Sequence, residues 1–142
     1  MVAVDTNVLV RLMTGDDPTQ EALARAVFAS GPVWIGKTVF LETAWVLGRL
    51  YQFEADAIRE GFTKLLGLKN VHMEDEGSVA AALALTKEGI EIADALHLTS
   101  RPPGSTFVSF DKAFVRRAKR AGAANVAGSA RPKIIRNFTN SL

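Results

Sequence analysis

The sequence predicts an α/β protein built around a central, mostly parallel sheet of four or five strands. Short apolar runs alternate with helical segments along the 142 residues, and helices separate nearly every pair of predicted strands. The length fits a single domain over residues 1–142. With 48% hydrophobic and 23% charged residues, the composition is typical of globular proteins and not of disordered chains.

The N-terminal segment predicts one strand and two helices. Val2–Val4 is an apolar run typical of a fully buried strand, and Val8–Met13 can begin a helix. Asp17 is positioned to cap a second helix, which begins at Pro18 and ends near Ser30. The inner face of this second helix is predicted from helical spacing to consist of Leu23, Ala26, Val27 and Ser30.

The middle of the chain predicts two strands and two helices. Val33–Ile35 is a candidate strand, and Thr38 is positioned to cap a long helix that continues to Tyr51. A further helix is predicted over about Glu54–Leu66 because its apolar residues recur at helical spacing. Val71–Met73 is predicted as a third short strand.

The last part of the chain predicts three helices and two strands. Helices are expected over Asp75–Lys87, Ile92–Thr99 and Lys112–Ala121. Strands are expected over Thr106–Phe110 and Asn125–Ala127. Ligands of such sheets bind beyond the carboxyl ends of the strands, so a polar residue at a strand end is a candidate site residue.

Composition excludes several classes of site. The chain has no cysteine, which excludes disulfide scaffolds, thiolate catalysis and Cys-containing zinc sites and is compatible with a reducing cytoplasm. Its two histidines are too few for a His-rich metal site. No apolar stretch reaches the roughly 18 residues of a membrane span, and the N-terminus lacks the features of a signal peptide.

Charge is distributed unevenly along the chain. Residues 1–100 contain eight Lys and Arg but 14 Asp and Glu, whereas residues 101–142 contain nine and one. An acidic body with a basic end, including a tail from about residue 129, is compatible with binding a polyanion. Arg116 and Arg117 are candidates for contacts with phosphates, and the alternative is an ordinary solvated helix face.

Four carboxylates interrupt apolar segments. Asp5 and Asp111 each follow a predicted strand, whereas Glu42 and Asp94 lie within predicted helices. Clustered carboxylates can be protonated or can bind a hard cation such as Mg²⁺ or Mn²⁺, which activates water and stabilises charge on a phosphodiester. Each residue also has a structural alternative, because Asp5, Asp94 and Asp111 could be helix N-caps and Glu42 could complete a capping box.

These acidic segments resemble the motifs of PIN-domain nucleases. The resemblance covers nearly the whole chain, and the length of the chain is similar to that of VapC-type toxins of bacterial and archaeal toxin–antitoxin pairs. Each motif alone is weak, but four in the family's order are a specific signal. The matching segments are Asp5-Thr6-Asn7-Val8-Leu9, Phe40-Leu41-Glu42-Thr43-Ala44, Ala93-Asp94-Ala95-Leu96-His97 and Ser109-Phe110-Asp111-Lys112-Ala113-Phe114.

The resemblance implies a three-layer α/β/α fold and an endoribonuclease that uses Mg²⁺ or Mn²⁺. It implies that Asp5 and Asp94 bind the metal directly and that Asp111 is a further ligand or a water-mediated contact. It also implies that Glu42 positions or deprotonates the attacking water. All four residues are therefore candidate catalytic residues.

The same resemblance extends to neighbouring polar residues and to partners. Asn7 and Ser109 match polar positions that could orient ligands or a phosphate, and Glu91 stands where many relatives have another acid. The expected partners are an RNA substrate, a cognate antitoxin protein and a second copy of the chain in a homodimer. The expected location is the cytoplasm.

Two other functions fit parts of the sequence. A PIN-like module without catalysis could bind RNA or a protein, with the acids serving the structure. Residues 31–38 also satisfy the pattern G-x-x-x-x-G-K-[ST] of phosphate-binding loops, which would indicate a nucleotide hydrolase. The bulky Val33-Trp34-Ile35 interior and the helix predicted before Gly31 argue against such a loop.

Overall fold

The structure, a computed structural model, describes residues 1–128 as five strands and seven helices that alternate in the predicted order. The strands are β1 (Val2–Ala3), β2 (Val33–Ile35), β3 (Val71–Met73), β4 (Phe107–Val108) and β5 (Val126–Ala127). The helices are α1 (Thr6–Thr14), α2 (Pro18–Ala29), α3 (Lys37–Arg49), α4 (Ala55–Leu66), α5 (Glu76–Thr86), α6 (Ile92–Thr99) and α7 (Lys112–Arg120). The predicted basic tail from about residue 129 lies outside the described residues.

All strand pairs are parallel, and they form two ladders. One ladder has the order β1-β2-β3 and the other joins β4 to β5. Val33 of β2 lies opposite both Val2 and Val71, which sets the register of the first ladder. Because parallel strands need crossover connections, a helix or a pair of helices separates each strand from the next. The predicted α/β/α architecture is confirmed, with its five strands divided into a ladder of three and a ladder of two within residues 1–128.

One face of the first ladder is covered more completely than the other. Val33 and Ile35 are buried, whereas Trp34 between them is 37% exposed. The prediction that Val2–Val4 is fully buried is wrong for its first part, because Val2 is 46% exposed and only Val4 enters the core. Alternate side chains of a strand point to opposite faces, so the residues on the less covered face remain accessible.

The main core joins α3 and α4 beneath the first ladder. The rings of Phe40 and Phe62 are almost completely buried, with their centroids 4.5 Å apart. In α2 the buried residues are Ala24 and Phe28. The predicted inner face is correct for Val27, which packs against the core, and wrong for Leu23, Ala26 and Ser30, which are exposed. A shift of one residue in the predicted face is sufficient to exchange buried and exposed positions, because adjacent residues differ by about 100° around a helix.

The start of α3 is fixed by the turn after β3 and not by Thr38. Gly36 is the N-cap of α3, so the prediction that Thr38 caps this helix is wrong. The backbone N–H of Lys37 instead donates to the Glu74 carboxylate at 2.7 Å. The Lys37 ammonium also lies 3.0 Å from Asp75. A carboxylate from a neighbouring segment thus accepts from one of the free N–H groups at the start of α3.

This arrangement is incompatible with a phosphate-binding loop. Residues 33–35 of the matching pattern form β2, so they are extended and paired on both sides. The lysine of the pattern, Lys37, is paired with Asp75. The nucleotide-hydrolase interpretation is therefore not supported by the conformation of residues 31–38. None of the helices within residues 1–128 combines the length and the apolar character needed to cross a membrane.

The packing predicts that Phe62→Ala lowers the free energy of unfolding by about 3–5 kcal/mol, because it leaves a cavity against Phe40. Leu23→Ala is the matched control, and it should change the free energy of unfolding by no more than about 0.5 kcal/mol since Leu23 is exposed. Urea denaturation of both variants measures the difference. Equal losses in the two variants would contradict this description of the core.

Candidate active site

Asp5 lies at the carboxyl end of the first strand and caps α1. Its backbone is extended, and its Oδ1 accepts a hydrogen bond from the N–H of Val8 at 3.1 Å. Asp5 is therefore a helix N-cap, which is the structural alternative that the sequence offered for it. A cap uses only one carboxylate oxygen, so the other oxygen of this exposed side chain can still bind a ligand.

Glu42 lies on α3 and is connected to the start of α1. Its Oε2 accepts a hydrogen bond from the Thr6 hydroxyl at 3.0 Å, so it is not part of a capping box for its own helix. Asp5, Asn7 and Glu42 line one cavity of about 450 Å³. Three of the predicted site residues, which are separated by up to 37 positions along the chain, thus share one cavity.

Asp94 occupies the third position of α6 and is half-buried. It is not the N-cap, which is Glu91, so the capping alternative is wrong for this residue. Burial raises the pKa of the Asp94 carboxyl, and the negative charges of Glu91 and Asp111 raise it further, while His97 acts in the opposite direction. Asp94 therefore interacts electrostatically with Glu91, which is the N-cap of the same helix, and with Asp111, which belongs to a different segment.

Asp111 repeats the arrangement of Asp5 in the second ladder. It lies three residues beyond the end of β4 and caps α7, with its Oδ1 accepting from the N–H of Phe114 at 2.9 Å. The Asp111 N–H donates to the Ser109 hydroxyl at 3.2 Å, and the Ser109 N–H donates to the carbonyl of Ala127 at 3.1 Å. Ser109 thus fixes the backbone that presents Asp111.

The two predicted arginines differ in their contacts. Both are exposed on α7, whose buried side consists of Phe114, Val115 and Ala118. Arg117 donates to the carbonyl of Gly89 at 3.3 Å, so this guanidinium also connects α7 to the turn before α6. Their role in substrate binding stays a prediction.

The acidic residues form two groups. Asp5 and Glu42 share a cavity, and Asp94 interacts with Glu91 and Asp111. Contacts between α3 and α6 connect the helices that carry Glu42 and Asp94. Within residues 1–128, no set of three or more His, Asp or Glu side chains is arranged so that it could hold a metal ion. The metal ligands Asp5, Asp94 and Asp111 therefore stay a prediction.

The donor chemistry nevertheless fits a hard divalent cation. All the candidate ligands are carboxylates, which Mg²⁺ and Mn²⁺ prefer. The caps formed by Asp5 and Asp111 each engage a single oxygen. Burial and the negative charges of Glu91 and Asp111 raise the pKa of Asp94, and a bound cation would offset both effects.

A network beside Asp5 and Glu42 was missed by the sequence analysis. Arg11 and Tyr51 line the same cavity and both bind Asp16, at 2.7 and 2.6 Å. The hydrogen bond from Tyr51, followed by those from Arg11 and Thr14, holds the pKa of Asp16 far below its usual range. Asp16 and Tyr51 are 35 positions apart. No local pattern in the sequence indicates this contact.

The raised pKa of Asp94 predicts that Asp94→Asn stabilises the fold near neutral pH. Above the raised pKa, the ionised carboxylate destabilises the folded state, and this penalty disappears as the pH falls and Asp94 takes up a proton. The amide that replaces the carboxylate carries no charge, so the variant should have the higher urea midpoint at about pH 7, with the difference shrinking towards about pH 4. A variant less stable than the wild type at both pH values would contradict the electrostatic description.

Comparison with protein families identifies the fold. The profile of the PIN domain family matches residues 2–120, a segment that contains Asp5, Glu42, Asp94 and Asp111. A comparison with curated proteins found no match. PIN domains are generally nucleases, and they typically use divalent metal ions. Because the match covers most of the chain, this protein belongs to the PIN domain family.

Proposed function

We propose that this chain is a metal-dependent endoribonuclease that hydrolyses phosphodiester bonds of RNA with Mg²⁺ or Mn²⁺. The observation that supports this proposal is the position of the half-buried Asp94, whose pKa is raised by burial and raised further by the negative charges of Glu91 and Asp111. Such a concentration of like charge is unfavourable for a purely structural role, but it suits the binding of a divalent cation.

The proposed roles follow from the contacts of each side chain. Asp5 and Asp111 would bind the ion through the oxygens not used by their caps, and Asp94 through its half-buried carboxylate. When bound, Mg²⁺ or Mn²⁺ lowers the pKa of a water ligand and stabilises negative charge on the phosphate.

Glu42 is the proposed base. It accepts a proton from the water whose oxygen attacks phosphorus. The P–O bond opposite the attacking oxygen then breaks, and the departing ribose oxygen keeps the electron pair and takes a proton from solvent to become a hydroxyl group. The hydrogen bond from Thr6 fixes one oxygen of Glu42, which leaves the other to accept the proton. Because Thr6 directly follows Asp5, this bond also holds the base near a proposed metal ligand.

Other polar groups would bind the substrate. Asn7 lines the cavity that contains Asp5 and Glu42, and Ser109 supports the backbone of Asp111. Arg116 and Arg117 are exposed on α7, which Asp111 caps, so their charges can attract the RNA backbone. Phosphates would thereby be held beside the acidic residues.

The proposal includes a biological context. The order of the acidic motifs supports a role as the toxin component of a type II toxin–antitoxin pair of the VapC type. In this context the protein is a cytoplasmic homodimer, and a cognate antitoxin inhibits it. These partners are supported by the resemblance alone.

A non-catalytic PIN-like module is the second candidate. It is favoured by the arrangement of residues 1–128, in which no group of three or more His, Asp or Glu side chains is placed so that it could hold a metal ion. Such a module would bind RNA or a protein without cleaving it. Nuclease assays separate the two candidates directly.

We expect the purified protein to cleave total RNA with Mn²⁺ or Mg²⁺ and to lose this activity in EDTA. Asp94→Asn should reduce the rate by at least about 100-fold, because it removes a proposed metal ligand. Asp56→Asn is the matched control, since Asp56 is largely exposed on α4 and paired with Arg59. Cleavage is measured by mapping new RNA ends. Full activity in folded Asp94→Asn would overturn the mechanism.

Glu42→Gln should lower kcat by roughly 10²–10⁴-fold, because Gln cannot accept the proton from water. Its binding of RNA should be largely unchanged, since the substitution retains the size of the side chain and an oxygen for the Thr6 hydroxyl. Single-turnover cleavage and filter binding measure the two effects. Loss of binding with an unchanged rate for the bound RNA would assign Glu42 to the substrate interface instead.

A further inference from the structure

Phe110 is an aromatic side chain left in solvent beside the candidate active site. It is 70% exposed, more than Trp45, Phe53 or Trp34. Single exposed apolar residues are common on protein surfaces, so exposure alone does not indicate a function. The surroundings of this ring supply the further evidence.

The backbone around Phe110 is held on both sides. Ser109 is hydrogen-bonded to β5 through Ala127 at 3.1 Å. Asp111 is bound to the Ser109 hydroxyl and to the first turn of α7 through Phe114. The ring is therefore carried by an ordered turn, so a ligand that binds it pays little for ordering the protein backbone.

The neighbouring aromatic residues show that the exposure is selective. Phe107 and Phe114, which flank the turn, pack edge to face with their centroids 5.7 Å apart. Phe114 is buried and Phe107 is half-buried. Phe110 alone of these three rings presents its surface to solvent.

Charge complementarity identifies the kind of ligand. Phe110 directly precedes Asp111, which interacts electrostatically with Asp94, and Lys112 and Arg116 are exposed on the helix that follows. An exposed ring beside cationic side chains is the combination that binds single-stranded nucleic acid, because the ring stacks on a base while the cations bind phosphates. In a duplex the bases are already stacked and paired, so this contact requires an unpaired base.

We propose that Phe110 is a base-stacking subsite that selects RNA with an unpaired base beside the scissile phosphate. This inference rests on the proposed ribonuclease function and assigns to Phe110 a positioning role in it. A base stacked on Phe110 places its adjoining phosphates next to Asp111. The subsite therefore acts in binding and positioning and takes no part in the bond-breaking step.

The test measures binding and stacking without cleavage. A short single-stranded RNA containing 2-aminopurine is titrated with protein in EDTA at low salt, with anisotropy reporting binding and 2-aminopurine fluorescence reporting stacking. Phe110→Ser should weaken binding about tenfold and remove the fluorescence change, whereas Phe110→Trp should retain both. Leu23→Ser is the control for loss of an exposed apolar side chain, since Leu23 is 64% exposed on α2. It should behave as the wild type.

Several results would overturn the subsite. The first is unchanged RNA binding by Phe110→Ser, and the second is no RNA binding by the wild type. The third is that Phe110→Ser weakens the binding of a duplex of the same sequence as much as that of the single strand. A change confined to the oligomeric state in sedimentation would instead assign the ring to a protein interface. Cleavage assays with Mn²⁺ separate this inference from the proposed function. Stacking without cleavage supports the subsite and refutes the nuclease. Cleavage that depends on Asp94 but is unaffected by Phe110→Ser supports the nuclease and refutes the subsite.

Discussion

Repulsion among carboxylates is the constraint on which the candidate site depends. Burial raises the pKa of the half-buried Asp94, and the negative charges of Glu91 and Asp111 raise it further. A fold that keeps ionisable groups in such surroundings sacrifices some stability, which is characteristic of functional sites.

Helix capping places the acids and couples the site to the fold. Asp5 and Asp111 each follow a strand and each bind the N–H three residues later, so both carboxylates are held at the starts of helices. In each case one carboxylate oxygen accepts the capping hydrogen bond, and the other can bind a ligand. The structural and functional interpretations of these residues are therefore compatible, although the sequence presents them as alternatives. Glu42 is positioned differently, by a long-range hydrogen bond from Thr6.

Local signals predicted the elements well and their surroundings less well. The Asp17–Pro18 pair correctly marked the start of α2, and Ile92–Thr99 and Val71–Met73 have the predicted bounds. The errors concern contacts between distant segments. Glu74 and not Thr38 accepts from the start of α3, and the burial of Ala24 in place of Leu23 depends on how α2 packs against α1.

In the candidate site, too, the local motifs could be predicted from the sequence, whereas the contacts between distant residues could not. Four acidic motifs could be located because each interrupts an apolar segment, and the family match now covers all four. Arg11 and Tyr51 could not be located, since their place in the cavity of Asp5 and Glu42 depends on a hydrogen-bond network between distant residues. Spacing along the chain carries no information about which side chains from separate helices meet in one cavity.

The most direct measurement of the central claim is calorimetric titration of Mn²⁺ into the protein without RNA. If the carboxylates gather around a cation, the wild type and Asp56→Asn bind Mn²⁺ saturably, and Asp5→Asn and Asp94→Asn lose that binding while remaining folded by circular dichroism. Undiminished Mn²⁺ binding in the folded Asp5 and Asp94 variants, or no saturable binding by the wild type, would contradict the account.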